Sequence, residues 1–177
     1  NGARQTGKTT LAKHVADRTG ARYVTLDDAV TMMVAVGDPA GFIRNLPGPL
    51  VIDEIPKAPE LFPALKLAVD RDRRPGRFLL TGSANVMTLP RLAESLAGRM
   101  EILPLYPFSA GELAGRRGRF LARLFDGRVT RANAGPGPAK QNLLARVARG
   151  GYPEAVARKA DDRRAAWFAS YVSTLLQ

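Results

Sequence analysis

Cysteine is absent from the 177 residues, so neither a disulfide nor a thiolate metal site can form, and the chain fits a reducing cytoplasm. Histidine occurs once, as His14, and one imidazole without thiol or imidazole partners makes no metal site. Long apolar runs are missing too. Stretches such as Phe78-Leu79-Leu80 fall far short of the roughly 20 residues of a membrane span, which points away from a membrane partner. Acidic side chains are scarce, 16 against 27 Lys and Arg, for a net charge of +11. The excess is uneven: residues 1–100 hold 14 basic and 10 acidic groups (+4), residues 101–177 hold 13 and 6 (+7). A basic second half points to an anionic partner, DNA or an acidic protein surface. Its arginines are interleaved with apolar residues, however, as they are on an ordinary solvated Arg-rich surface.

Two features missing at the ends belong with these. No initiator Met and no apolar strand precede Asn1, and the run from Trp167 to Gln177 stops inside a helical pattern without a cap. The expectation is an internal piece of a longer protein.

What is present begins at once. Gly2-Ala3-Arg4-Gln5-Thr6-Gly7-Lys8-Thr9 is a full match to the phosphate-loop pattern G-x-x-x-x-G-K-[ST]. Gly2 and Gly7 are expected at positive φ, letting successive N–H groups of residues 2–10 turn inward around a polyphosphate. Lys8 supplies a mobile charge for the outer phosphates, and the Thr9 hydroxyl is a Mg²⁺ ligand. From Thr9 and Thr10 to Asp17 the composition is helical, so the positive end of a helix dipole faces the bound anion. The ligand these residue types suit is a polyphosphate with Mg²⁺.

The first two-thirds of the chain alternates strand and helix. Helices are expected from Lys8 to Arg18 (ending at Gly20), from a cap at Asp27 through Val36, and from the Asp38-Pro39 cap to Leu46. Two more are expected over Leu61–Val69 and Leu89–Leu96. Strands are expected over 22–26, 50–52, 77–81 and 100–105. Repeated βα units imply an α/β fold, a three-layer sandwich around a parallel sheet, with the ligand at the carboxyl ends of the strands. Past Pro107 only helices follow: a capping box at Ser109–Glu112, then 140–149, 154–159 and 161 onward. A connector at 131–138 and the breaker Gly150-Gly151-Tyr152-Pro153 separate them. Phe120, Leu121, Leu124 and Phe125 share one face of an amphipathic stretch rich in Arg, and Trp167 and Tyr171, four apart, read as core.

The second half of the site is Leu50-Val51-Ile52-Asp53-Glu54, an apolar strand ending in two carboxylates. Asp53 at the strand tip suits the Mg²⁺ shell. Glu54 reaches further and suits a general base or water-positioning role. No N-K-x-D guanine-reading motif is present, and a water-activating Glu beside the magnesium Asp favours hydrolysis over transfer to a small acceptor. Strand Phe78–Thr81 runs into Gly82-Ser83-Ala84-Asn85, where a polar side chain could sense the γ-phosphate. Ser83 is the first choice, ahead of Thr81 and Asn85, and a helix-capping serine turn is the alternative.

The series GARQTGKTTL, YVTLDD, PLVIDEI, RFLLTGSANVM, ESLAGRMEILPLYPFS and GGYPEAV, in this order, resembles the predicted AAA+ superfamily ATPases of bacteria and archaea. Those proteins carry Arg-Gln inside the phosphate loop and usually continue into a C-terminal domain of unknown function. The resemblance covers nearly the whole chain. It implies ATP binding, an AAA+ core over residues 1–106 and a small helical lid over 107–177. It also implies that Lys8 and Thr9 take the phosphate and magnesium positions, Asp53 and Glu54 the acidic pair, and Ser83 the sensor strand. Arg99 matches the place where relatives often carry an arginine finger that reaches a neighbouring subunit's ATP, which would make a homo-oligomer the working form. A structural ion pair is the other reading of Arg99. A nucleotide-gated DNA- or protein-binding switch with little turnover is the alternative to a hydrolase.

Overall fold

A computed structural model describes residues 1–83, 96–116, 118, 120–127 and 140–176. These fall into two compact units, Asn1–Leu105 and Tyr106–Gln177. The first is a small parallel sheet flanked by helices. Strands β1 (Arg22–Thr25), β2 (Leu50–Asp53) and β3 (Phe78–Leu80) lie in the order β1-β2-β3. Arg22 stands opposite Leu50, Thr25 opposite Asp53, and Ile52 opposite Leu80. Parallel neighbours cannot be joined by a hairpin, so each connection carries helix. α1 (Lys8–Thr19) leads into β1, α2 (Ala29–Gly37) and α3 (Pro39–Arg44) lead to β2, and a 3-10 turn (Ile55–Lys57) with α4 (Leu61–Arg71) leads to β3.

β2 is central and buried along its whole length, which is why it reads as a continuous apolar run. Side chains alternate between faces, and the packing follows that alternation. Leu50 and Ile52 join a core with Phe42 and Ile43 of α3 and Leu61, Phe62 and Leu65 of α4. Val51 joins a second cluster with Ala12 and Ala16 of α1. Asp53, two residues beyond Val51, therefore projects on the α1 side at the carboxyl end of the strand.

The helix caps correct one expectation. α2 is capped by Asp28, whose Oδ2 accepts from the Thr31 N–H at 2.7 Å, and not by Asp27. Asp27 instead pairs with Lys57 at 2.5 Å. The other caps are the expected ones: Gly20 closes α1 at φ 69, and Asp38 accepts from the Gly41 N–H at 2.8 Å with Pro39 in the first turn of α3. The strand expected over 100–105 does not form a ladder. Asn1 donates to the Leu103 carbonyl at 2.9 Å and accepts from the Leu105 N–H at 2.6 Å, one rung of a parallel pair. That rung turns the missing N–H of Pro104 away from Asn1, the placement in which an extended segment tolerates proline. Of the expected helix 89–96 only Leu96 is among the described residues; the rest of it and the connector 131–138 lie outside them.

The second unit holds α5 (Ala110–Leu113), α6 (Phe120–Phe125), α7 (Lys140–Arg149), α8 (Pro153–Ala157) and α9 (Asp161–Leu175). The capping box forms: Ser109 Oγ accepts from the Glu112 N–H at 3.2 Å, and Glu112 Oε2 from the Ser109 N–H at 2.7 Å. Of the expected apolar face of α6, Leu124 and Phe125 are exposed. Trp167 and Tyr171 stack 5.2 Å apart, and Tyr152 completes the group at 5.7 and 5.1 Å from them. The breaker segment thus has a packing role beyond ending α7. Gly150 turns the chain at φ 66, and the Gly151 carbonyl accepts from the Phe108 N–H at 2.7 Å. A Cβ on Gly151 would collide with the Phe108 carbonyl oxygen, so close backbone approach demands glycine there. Gly151→Ala is expected to cost about 1–3 kcal/mol of stability, the usual penalty of overpacking, read as a lowered denaturation midpoint.

Candidate functional site

The N-terminal loop acquires its shape from two left-handed residues. Gly7, at φ 94, is the N-cap of α1, and Gln5, a non-glycine, lies at φ 61. Alternation of this kind points successive N–H groups into one concavity and makes an anion nest. Gly2 plays a different part from the one expected of it. Its φ is not positive; a Cβ there would collide with the Leu105 carbonyl oxygen, so its smallness admits the neighbouring backbone. Ala3, Arg4, Gln5 and Thr10 are exposed, while Thr6 and Lys8 are buried. Both buried side chains turn to the Ala3 carbonyl, Thr6 Oγ1 at 3.0 Å and Lys8 Nζ at 2.6 Å. Burial, with a lesser contribution from Arg4, holds the Lys8 ammonium below the ordinary lysine value; Glu54 and Asp53 pull the other way.

Asp53 is 1% exposed and satisfied by three hydroxyls. Its Oδ2 accepts from Thr9 Oγ1 at 2.9 Å and from the Tyr23 phenol at 2.8 Å, and its Oδ1 accepts from Thr81 Oγ1. The two residues expected to share a metal, Thr9 and Asp53, are therefore in direct contact across 44 positions of sequence. Burial first, and then the bond and charge of Asp53, push the Tyr23 phenol up to about 12. The donor set is hard oxygen throughout, and no cluster of three His, Cys, Asp or Glu exists among the described residues. That composition fits Mg²⁺, which keeps several waters and takes one or two protein ligands beside phosphate oxygens.

Glu54 sits in the left-handed region at φ 58, ψ 43, a placement that costs a non-glycine residue about 1–3 kcal/mol. It is held there by Thr81, the residue just beyond β3. The Glu54 N–H donates to Thr81 Oγ1 at 3.2 Å, and the Ile55 N–H donates to the Thr81 carbonyl at 2.9 Å. Strain maintained at the tip of a buried strand is what a site under functional constraint displays. Ser83 Oγ donates to Glu54 Oε2 at 3.3 Å. Of the three sensor candidates, then, Ser83 touches Glu54 and Thr81 touches Asp53, while Asn85 lies outside the described residues.

Arg99 is engaged elsewhere. Its guanidinium forks onto Asp70 of α4 at 2.7 and 3.2 Å, which holds the Asp70 carboxyl below the ordinary range. His14 is exposed on α1. Tyr23 is the site residue that sequence reasoning passed over. Its one signal is a phenol inside an expected strand, because a half-buried tyrosine hydroxyl needs a partner.

A left-handed loop capping a helix, bonded through its Thr to a buried Asp at the tip of the central parallel strand, is a phosphate-loop arrangement. A family model described as "AAA domain" matches residues 1–114. The chain belongs to the AAA domain family. Membership makes it an ATPase-type nucleotide-binding module. Two curated relatives, uncharacterized proteins of Mycobacterium bovis and Mycobacterium tuberculosis, are each 32% identical over 176 residues. The match covers 99% of this chain but 34% of each relative, so the chain spans about a third of their length. No solved structure matches the chain. Among the described residues, no helix is long and apolar enough to cross a membrane.

Proposed function

We propose that this chain is an AAA+ type ATPase module, with a three-layer core over residues 1–106 and a helical lid over 107–177. It binds ATP with Mg²⁺ and hydrolyses it, so that loss of the γ-phosphate drives lid or subunit movement. The observation that carries the reading is the convergence of Thr9, Asp53, Glu54 and Ser83 beside the loop that holds Lys8. Loop N–H groups and the α1 dipole bind the phosphate chain, and Lys8 exchanges its Ala3 carbonyl for the outer phosphates. Thr9 and Asp53 would hold the magnesium ion, which when bound neutralises charge on the phosphoryl oxygens. Glu54 orients a water and accepts its proton. Ser83 restrains the Glu54 carboxylate until a nucleotide competes for its hydroxyl.

The deciding measurement is phosphate release from ATP, with and without DNA, alongside molecular mass in ATP and in ADP. Magnesium-dependent turnover lost in a folded Asp53→Asn protein supports hydrolysis. ATP-dependent DNA or protein binding with negligible turnover would replace it with the switch, which the Ser83 bond to Glu54 favours as a brake on the base.

Arg99 enters the proposal as a residue shared between subunits, released from Asp70 on assembly. The expected result is an Arg99→Ala protein that binds ATP normally, hydrolyses it poorly, and regains activity when mixed with Lys8→Ala protein. Asp70→Asn, which removes only the intramolecular partner, is expected to keep turnover. Equal loss in Arg99→Ala and Asp70→Asn, with no complementation despite verified co-assembly, would reduce Arg99 to the ion pair.

A further inference from the structure

Tyr23 stands in β1 opposite Val51 of β2, and Asp53 is two residues further along β2 on the same face. Two residues of strand advance about 6.6 Å, close to the length of a tyrosine side chain, so the phenol arrives beside the carboxylate. There it donates to Asp53 Oδ2 at 2.8 Å, the oxygen that also accepts from Thr9 Oγ1 at 2.9 Å. The ring is held in turn. It packs against the cluster of Ala12, Ala16 and Val51, and Lys13 Nζ lies 5.3 Å over its centre. Thr9 and Lys13 are one turn apart on α1, so the helix that carries the phosphate loop holds the carboxylate through one residue and the tyrosine through the other. With Thr81 on Oδ1, three hydroxyls from α1, β1 and the end of β3 fix the carboxylate plane.

We propose that Tyr23 is a positioning residue of the metal site. Its hydroxyl locks the Asp53 carboxylate in the one orientation in which Asp53 and Thr9 together can hold the cation that accompanies the nucleotide. The proposal rests on the ATP·Mg²⁺ reading above. Groups that orient a metal-binding carboxylate from behind are typically worth about 10–100-fold in metal affinity or activity. Thr9 is committed both to the metal and to Asp53, and Thr81 also accepts the Glu54 N–H, whereas the Tyr23 hydroxyl, which Thr25 also engages, donates to this carboxylate and to neither of those groups.

The test is Tyr23→Phe, which keeps the ring, its packing and the Lys13 contact and deletes only the hydroxyl. ADP affinity is measured in EDTA, and in a separate chelator-free sample Mn²⁺ is titrated into the protein–ADP mixture and followed by its electron paramagnetic resonance signal. The expected result is wild-type ADP affinity in EDTA together with Mn²⁺ binding weakened roughly 10-fold or more. Wild-type Mn²⁺ affinity in Tyr23→Phe, beside a loss in Asp53→Asn, would overturn the role of Tyr23 and leave the site standing. Wild-type Mn²⁺ affinity in Asp53→Asn as well would bring down the underlying reading. A matching fall in metal-free ADP affinity or in the melting midpoint of Tyr23→Phe would mean general packing, and would also overturn the proposal.

Discussion

Glu54→Gln is expected to bind ATP as the unaltered protein does and to turn it over roughly 10²–10⁴-fold more slowly, the usual loss when a general base is removed. The substitution is nearly isosteric, and every backbone contact that holds residue 54 survives it. The N–H still reaches Thr81 Oγ1, and the left-handed backbone is retained. The amide keeps an oxygen that can accept from Ser83 Oγ, so the local geometry persists. Asp53 with its three hydroxyl donors is untouched, so nucleotide and metal affinity stay put. Only the capacity to take a proton disappears. The measurement pairs nucleotide titration with single-turnover hydrolysis. Hydrolysis near the wild-type rate in Glu54→Gln would show that the strained carboxylate is not the base. Ser83→Ala separates orientation from proton transfer: it frees Glu54 without removing it, and a modest change in rate is expected.

The loop, the acidic strand tip and the helix that follows the loop were legible in the sequence because each is a local pattern whose chemistry is carried by adjacent residues. β2 was legible for a related reason: burial on both faces leaves three apolar residues without polar alternation before the carboxylate at its end. Whatever depends on partners distant in sequence was not legible. Gly2 reads as a conformational glycine, yet its neighbour is the Leu105 carbonyl, more than a hundred residues away. The cap of α2 shifts from Asp27 to Asp28: two adjacent aspartates are equivalent as letters, and their partners differ, Asp28 taking the N–H and hydroxyl of Thr31 and Asp27 pairing with the distant Lys57. The 100–105 segment has strand composition, but a ladder needs a partner of matching length, and its bonds go to Asn1 alone among those described. Tyr23 was hidden for the most general reason. Strand register decides which side chain of β1 can reach Asp53, and one sequence does not encode register in any local pattern.

Lys8→Ala is expected to weaken ATP binding by at least about 10-fold, since a hydrogen bond to a charged group contributes about 1.5–3 kcal/mol and an ammonium on a polyphosphate makes more than one. The same substitution is expected not to lower the melting midpoint, and the sign follows from the charge. Burial keeps the Lys8 ammonium below its unfolded value, so the folded state binds that proton less readily than the unfolded chain. A lysine depressed in this way costs stability at every pH below its folded value, and the cost fades as pH rises from there toward the ordinary lysine value. Wherever Lys8 is charged in the folded state the penalty is present, and alanine removes it. The Ala3 carbonyl that loses Lys8 keeps Thr6 Oγ1 at 3.0 Å, so no buried acceptor is orphaned. Loss of nucleotide affinity with an unchanged or higher midpoint is the pattern of a charge held in place for a ligand at the expense of the fold. It is checked by nucleotide titration and thermal unfolding of the same preparation, without nucleotide, at neutral pH and near pH 10. The stability gain of the variant should shrink at the higher pH. A folded Lys8→Ala protein with unchanged ATP affinity would remove the phosphate-loop assignment. A midpoint that drops as far as affinity does would mean that Lys8 serves the fold through Ala3 and not the phosphates.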